Sequence, residues 1–357
     1  MSFNNSDDLS EQIRFGIIGC GWFGRVHVER LTEIPGVLIS AVSDPDLETA
    51  QRLADRVPAA LRPSEGVAVF TNYEDLLHQQ GLHAVSINSP NRWHVEQLLA
   101  ALGAGLHVLC EKPLTMVPDE VTQVVEAEKR AQRIVAIAYQ SRYRRDSRLL
   151  RRALESGQWG RITSIHAYAC ENWVTPNVGT WRHDPARCFG GYFGDANSHQ
   201  IDVLFWLTGL EAKEGTVHAT MEKRGTPVPI VSWGEARLVP RNAGQTTEIE
   251  VGIEGGGIPF TFNFVGDARR WREEITINTE RADFVLRDTQ LLWSDGTRPL
   301  APFVPSEAGM ADAEDTITDT PDSAFVTALR GGTPIASPPE TVWPVLRFTL
   351  AALEGNV

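Results

Sequence analysis

Apolar runs of four to seven residues recur along the first part of the chain, separated by longer amphipathic segments. The runs Ile13–Ile18, Val37–Ser43, Val67–Phe70, His83–Asn88, His107–Cys110 and Ile134–Tyr139 predict strands. Between them, Trp22–Thr32, Asp46–Val57, Tyr73–Gln79, Arg92–Gly103 and Pro118–Arg130 carry helical periodicity. Short strands alternating with helices imply a parallel, doubly wound sheet. The period then changes. Tyr143–Ser156 reads as one more helix, ended by Gly157, and Ile162–Cys170 alternates with period two. Further β-type stretches follow at Thr216–Met221, Val231–Val239, Thr247–Ile253, Ile258–Val265, Trp271–Asn278 and Ala282–Leu286. In Ile258–Phe264 the alternation puts three phenylalanines on one face. So many alternating strands imply an antiparallel sheet with two different faces. The helix expected over Asp195–Leu207 covers one face. The other is either covered by the chain's own helices or a contact between subunits. Ser294–Asp319, rich in Pro, Gly, Asp and Thr, reads as loop, and Ser323–Arg330 and Pro339–Leu353 close the chain as helices.

A length of 357 residues makes two domains the default expectation. The boundaries expected are a polar tail over residues 1–12, a dinucleotide domain over 13–141 and a second domain over 142–334. The net charge of −13 argues against nucleic acid or an anionic membrane as partner, because both require a concentrated basic surface. The one arginine-dense run, Arg142 to Arg152, reads as a solvated helix face. No apolar run approaches the roughly 20 residues of a bilayer span. The polar, acidic start MSFNNSDDLSEQ has no signal-peptide pattern, so a cytoplasmic protein is expected. Cys20, Cys110, Cys170 and Cys188 lack CxxC spacing, which leaves neither a zinc site nor a disulfide framework. No metal is expected.

The chemistry begins at the end of the first apolar run. Gly19-Cys20-Gly21-Trp22-Phe23-Gly24 is a GxGxxG between a strand and a helix, the context that gives this motif its meaning. Gly19 permits the turn, Gly21 lets a pyrophosphate approach the backbone, and Gly24 lets helix and strand pack closely. Trp22 and Phe23 open the helix whose N-terminus faces the phosphates. Asp44 ends the second strand, twenty residues after Gly24. A carboxylate there accepts from the ribose hydroxyls and repels a 2′-phosphate, which favours NAD over NADP. Ligands of such sheets lie at the carboxyl ends of the strands. Asp44, Ser89, Glu111, Lys112 and Gln140 all fall there, with Asn91 and His94 in the segment after Ser89. Lys112 can supply a fixed positive charge to a hydroxyl or ribose oxygen, and it would lower the pKa of a neighbouring histidine. Pro113 restricts it to an extended conformation and permits a cis bond.

In Cys188–Leu207 a Gly190-Gly191 pair precedes Asp195, His199 and Asp202. If the helix starts near Asp195, these three lie on one face at i, i+4 and i+7. A carboxylate one turn from an imidazole orients it and sets its proton affinity for acid–base chemistry. The alternative is an amphipathic helix with a satisfied histidine.

GCGWFG, AVSDPD, SPNRWHVEQLLAALGAGLHVLCEKPLT and GGYFGDANSHQIDVLFWLTG, in that order, resemble the glucose–fructose oxidoreductase/inositol dehydrogenase family of NAD(P)-dependent oxidoreductases. The resemblance covers the chain from Ile13 to the closing helix. It implies an N-terminal Rossmann domain and a C-terminal domain built on a large, open, mostly antiparallel sheet. It also implies that the last helices, near residues 335–357, return to the Rossmann domain. By the same resemblance Lys112, Asp195 and His199 are catalytic. His199 moves the hydroxyl proton, Asp195 orients it, and Lys112 binds the reacting oxygen. Glu111 and Gln140 match positions near the nicotinamide, and Trp181-Arg182 matches a pair near nicotinamide or substrate. Trp173 could present an indole face to a sugar ring, though burial is an equal alternative. Asn197 departs from the family's glycine or serine and leaves the local pocket shape open. The implied substrate is a sugar, cyclitol or keto-sugar, and the implied assembly is a homodimer or homotetramer through the C-terminal sheet. A redox-neutral enzyme that recycles a tightly held NAD, and a non-catalytic NAD- or sugar-binding regulator, are the alternatives.

Overall fold

Strands that read as continuous apolar runs are buried on both faces, and parallel neighbours cannot be joined by a tight turn, so each crossover needs a helix. The computed structural model, which describes residues 12–241, 256–310 and 319–354, follows this rule. Strands β1 (Ile13–Ile18), β2 (Val37–Ser43), β3 (Ala68–Phe70), β4 (Ala84–Ile87), β5 (His107–Cys110) and β6 (Val135–Ile137) form one sheet. Its order is β3-β2-β1-β4-β5-β6, with every neighbouring pair parallel. Helices α1 (Trp22–Thr32), α2 (Leu47–Arg56), α3 (Tyr73–Leu77), α4 (His94–Gly103) and α5 (Pro118–Ala131) make the crossovers. Local signals set their ends. Asp46 caps α2 by accepting from the Thr49 N–H, and Pro118 opens α5 where no N–H is needed. The strand order reverses between β1 and β4, the switch point at which such sheets bind ligands.

Among the described residues the second sheet has nine strands: β7 (Ile162–Asn172), β8 (Leu210–Ala212), β9 (His218–Glu222), β10 (Val231–Pro240), β11 (Ile258–Val265), β12 (Asp267–Thr279), β13 (Asp283–Arg287), β14 (Gln290–Ser294) and β15 (Ala301–Pro302). Their order is β15-β14-β13-β12-β7-β11-β10-β8, with β9 paired to β10. Only β7 and β11 run parallel; the remaining neighbours are antiparallel. With this sheet go α6 (Arg145–Glu155), α7 (Val174–Asn177), α8 (Gly191–Gly194) and α9 (Ser198–Thr208), and the chain ends in α10 (Pro321–Leu329) and α11 (Trp343–Glu354).

The chain divides into two units: the first runs to Ala138 and takes in Thr320–Thr341, and the second holds Tyr139–Asp319 and Val342 onwards. The return to the dinucleotide unit is therefore made by Thr320–Thr341, with α10, and shares only residues 335–341 with the expected 335–357. Phe325, Val326 and Leu329 of α10 join the core formed by Phe15, Ile17, Val28 and Leu31, and the Phe325 ring meets Phe15 edge-on at 6.1 Å. The closing helix α11 stays with the second unit. Its Phe348 packs on Phe193, Phe205, Phe260 and Phe262 at 5.6–6.1 Å, which fixes it over the phenylalanine face of β11. That face is covered by the unit's own helices.

The loop expected over Ser294–Asp319 contains β15 and a helical turn at Ser306–Ala308. The strand expected at Thr247–Ile253 and residues 1–11 of the expected tail lie outside the described residues. No described helix is long and apolar enough to cross a membrane.

Candidate functional site

The glycine loop after β1 is built for close approach. Gly19 has φ +86°, and a Cβ on Gly24 would stand 2.1 Å from the Gly19 oxygen, so α1 packs against the turn only because neither residue has a side chain. A Cβ on Gly21, by contrast, would meet nothing within 4 Å. That open space at the start of α1 is where a pyrophosphate would rest, so the loop fits a dinucleotide. A groove beside it is lined by Cys20, Gly21, Trp22, Arg25, Thr49 and Arg52. Trp22 is exposed, with the Arg25 guanidinium 4.3 Å over its ring, and Phe23 follows it in the first turn of α1. Asp44 is held from both sides. Its Oδ2 accepts from the Cys20 N–H at 2.9 Å and its Oδ1 from the Asp46 N–H at 3.0 Å. Burial pushes the Cys20 thiol far up, with Asp44 adding to it, so Cys20 is an inert wall of this loop.

The ends of β4 and β5 carry the rest of the first unit's candidates. Asn91 is 3 % exposed, and neither its amide nitrogen nor its oxygen has a hydrogen-bond partner among the described residues. A buried amide in that state calls for an incoming hydroxyl or water, an observation that suits a ribose. Ser89 donates its hydroxyl to Gln97 at 2.6 Å. His94 spans two loops, with Nδ1 2.8 Å from the Pro113 oxygen and Nε2 2.8 Å from the Ser89 oxygen. Burial pulls the pKa of this ring down. His94 was expected to touch the cofactor; its ring instead faces two backbone carbonyls and pins the loops around Lys112. The Lys112–Pro113 bond is cis. Both oxygens of Glu111 are engaged, one with His27 at 3.0 Å and one with the Lys112 N–H at 3.2 Å.

In the second unit, Gly190 and Gly191 both have positive φ, and a Cβ on Gly191 would stand 2.2 Å from the Pro229 oxygen. This turn starts α8, which stops at Asp195. The helix expected from Asp195 starts three residues later: α8 ends at Gly194, the backbone turns through 195–197 and α9 begins at Ser198. Asn197 causes the break, with its N–H and its side-chain amide both donating to the Tyr192 oxygen at 3.1 and 3.0 Å. The residue that departed from the family pattern thus has a local structural task. Asp195 is buried and takes Arg182 Nε at 2.9 Å, while the Arg182 guanidinium lies 4.3 Å over the Trp181 ring. His199 is half-buried, with Tyr139 edge-on at 6.1 Å, and Gln140 follows Tyr139 in a helical turn. Asp202 faces Arg142, which donates to it at 2.8 and 2.5 Å. Of the two alternatives for Trp173 the structure has the buried one, with the ring packed against His183 and Tyr192.

Two residues escaped the sequence reading. Arg142 belongs to the run taken as a solvated face, yet it is 2 % exposed and neutralises Asp202. Burial opposes its charge, but the Asp202 carboxylate more than offsets this and raises its pKa. Nothing in an arginine-rich stretch marks which member turns inward. His27 is fully buried between Glu111 and Asp322. A lone histidine on the apolar face of α1 was the available signal.

Residues 13–139 match the family described as an oxidoreductase family with an NAD-binding Rossmann fold, and residues 147–258 match the GFO/IDH/MocA C-terminal domain. Inositol 2-dehydrogenase 2 of Saccharopolyspora erythraea is 29% identical over 246 residues, 68% of each chain. D-glucoside 3-dehydrogenase of Escherichia coli is 28% identical over 63% of this chain and 62% of its own length. Levoglucosan dehydrogenase, solved with NADH, superposes with a TM-score of 0.77 over 96% of each chain at 19% identity. That last likeness is one of fold. Two consecutive matches over most of the chain, on a six-stranded parallel sheet with a glycine loop at its switch point, place this protein in the GFO/IDH/MocA family of NAD-binding oxidoreductases.

Proposed function

We propose that this protein is an NAD-dependent oxidoreductase that moves a hydride to or from a ring carbon of a sugar, cyclitol or keto-sugar. The observation that carries this reading is the joint presence of a dinucleotide-shaped glycine loop with Lys112, Asp195 and His199, all buried or half-buried and each held by its surroundings. NAD, when bound, supplies the hydride acceptor, or in reduced form the donor. Gly21, on the turn that Gly19 and Gly24 permit, would receive its pyrophosphate, Asp44 its adenosine ribose, and the Asn91 amide a ribose hydroxyl. Lys112 binds the reacting oxygen as a fixed cation. His199 takes the hydroxyl proton during oxidation and returns it during reduction. Asp195, set by Arg182, orients the substrate and the imidazole. The curated relatives' names favour an inositol or a glucoside as substrate class.

The test uses nucleotide-stripped protein with NAD and a panel of inositols, sugars and glycosides, following NADH by absorbance and products by mass spectrometry. NADH accumulating with one polyol class is the expected result. Product without NADH would replace this reading with a redox-neutral cycle on a retained cofactor. His199→Ala should lower turnover at least ~100-fold, the loss of a general acid–base group, with NAD affinity nearly unchanged. Near-normal turnover in that variant would remove His199 from the chemistry.

A further inference from the structure

The chemistry above leaves one buried charged cluster of the first unit unused. His27 lies on α1, three residues past Gly24. Its Nδ1 is 2.6 Å from Asp322 Oδ1 on α10, and its Nε2 is 3.0 Å from Glu111 Oε1 at the end of β5. Ionised carboxylates only accept hydrogen bonds, so two such partners require hydrogen on both ring nitrogens, which is the imidazolium. Burial alone would depress the pKa of His27, but Asp322 and Glu111 more than offset it and hold it at about 10. Glu111 after β5 and Asp322 on α10 face this ring, and Arg30 on α1 stands 3.6 Å from Asp322. Glu111 then passes the constraint on, because its second oxygen accepts the Lys112 N–H at 3.2 Å.

We propose that His27 is a positioning residue for Lys112: it clamps Glu111 from behind, and Glu111 fixes the backbone from which the Lys112 side chain departs. An apolar trio of similar volume would tie α1, α10 and β5 together at least as well as this buried ion cluster. It could not hold an acceptor against the Lys112 N–H. The inference rests on the role given to Lys112 under the proposed function.

The experiment compares His27→Gln, and His27→Gln combined with Asp322→Asn, with the parent protein. The second variant removes one of the two carboxylates left facing each other and keeps the fold accessible. Amide hydrogen exchange at Lys112 reads the clamp without any substrate, and its protection should fall about tenfold, the worth of one buried charge-assisted hydrogen bond. With substrate, kcat should fall roughly tenfold or more while KM for NAD stays within about twofold. The same substitutions placed in a Lys112→Met background should cause no further fall, because residues that act through one another are non-additive. Unchanged protection at Lys112, or a full additional loss in the Lys112→Met background, would overturn the proposal. Normal turnover in Lys112→Met alone would overturn the role of Lys112 and with it the positioning claim, leaving the clamp itself to be judged by amide exchange.

Discussion

Under the proposed function, Asp44 is the residue on which cofactor choice would turn. Two backbone amides, from Cys20 and Asp46, hold its carboxylate oxygens at 2.9 and 3.0 Å, so the charge cannot swing away from an incoming ribose. Each carboxylate oxygen has a further lone pair for a ribose hydroxyl, whereas a 2′-phosphate would meet a fixed like charge. Asp44→Ala should therefore weaken NAD roughly 10- to 100-fold, the loss of a charged hydrogen-bond acceptor, and narrow the preference over NADP. Titrating both nucleotides by fluorescence checks this, and an unchanged preference would remove Asp44 from the discrimination. The place of Asp44 beside the glycine loop was legible in the sequence because it stands at a fixed distance from a motif whose glycines have geometric duties. His27 and Arg142 were not, because their roles depend on Asp322 and Asp202, which lie 295 and 60 residues away. A residue's own type and its immediate neighbours carry no trace of such a partner.

Elements were legible where one period governs a segment, and illegible where a distant contact interrupts it. The six parallel strands and their helices follow from apolar runs and caps. The break between α8 and α9 does not. It is set by Gly191 against the Pro229 oxygen and by Asn197 on the Tyr192 oxygen, and helical spacing read through Asn197. The swap at the chain's end has the same origin. Both α10 and α11 are amphipathic, and only the identity of their phenylalanine partners assigns one to each unit. This makes α10 part of the dinucleotide unit in an energetic sense. Phe325 is fully buried against Phe15 within that core, so Phe325→Ala should cost about 3–5 kcal/mol of stability. NAD should recover part of that loss in thermal melts, because a ligand that binds only the folded state stabilises it. A melting temperature unchanged by the substitution would mean that α10 is an appendage of the first unit.

At the scale of the whole molecule, the question left by the second sheet is what its other face does. The face carrying Phe260, Phe262 and Phe264 is covered by α8, α9 and α11. Register places Trp233, Asn263, Tyr168 and Glu274 in one row across β10, β11, β7 and β12 on the opposite face, with Glu235, Thr261, His166 and Thr276 in the next. Trp233 is 40 % exposed there, and His166 bonds Thr261 across the strands at 2.8 Å. A sheet face with an exposed indole at one side and polar groups paired along the strands is the candidate for the subunit contact expected from the sequence. Because a two-fold contact uses the same patch on both copies, the same residues would complete themselves by self-association. The expected outcome is a dimer or larger assembly by light scattering at micromolar concentration, shifted towards monomer by Trp233→Arg with Tyr168→Arg. Both substitutions lie on the face of the second sheet opposite the phenylalanine face, and neither belongs to the residues proposed to hold NAD, so NAD affinity should hold while the mass falls. A wild-type protein that scatters as a monomer would assign this face to solvent, and the sheet would then serve only as the platform on which α8 and α9 present Asp195 and His199.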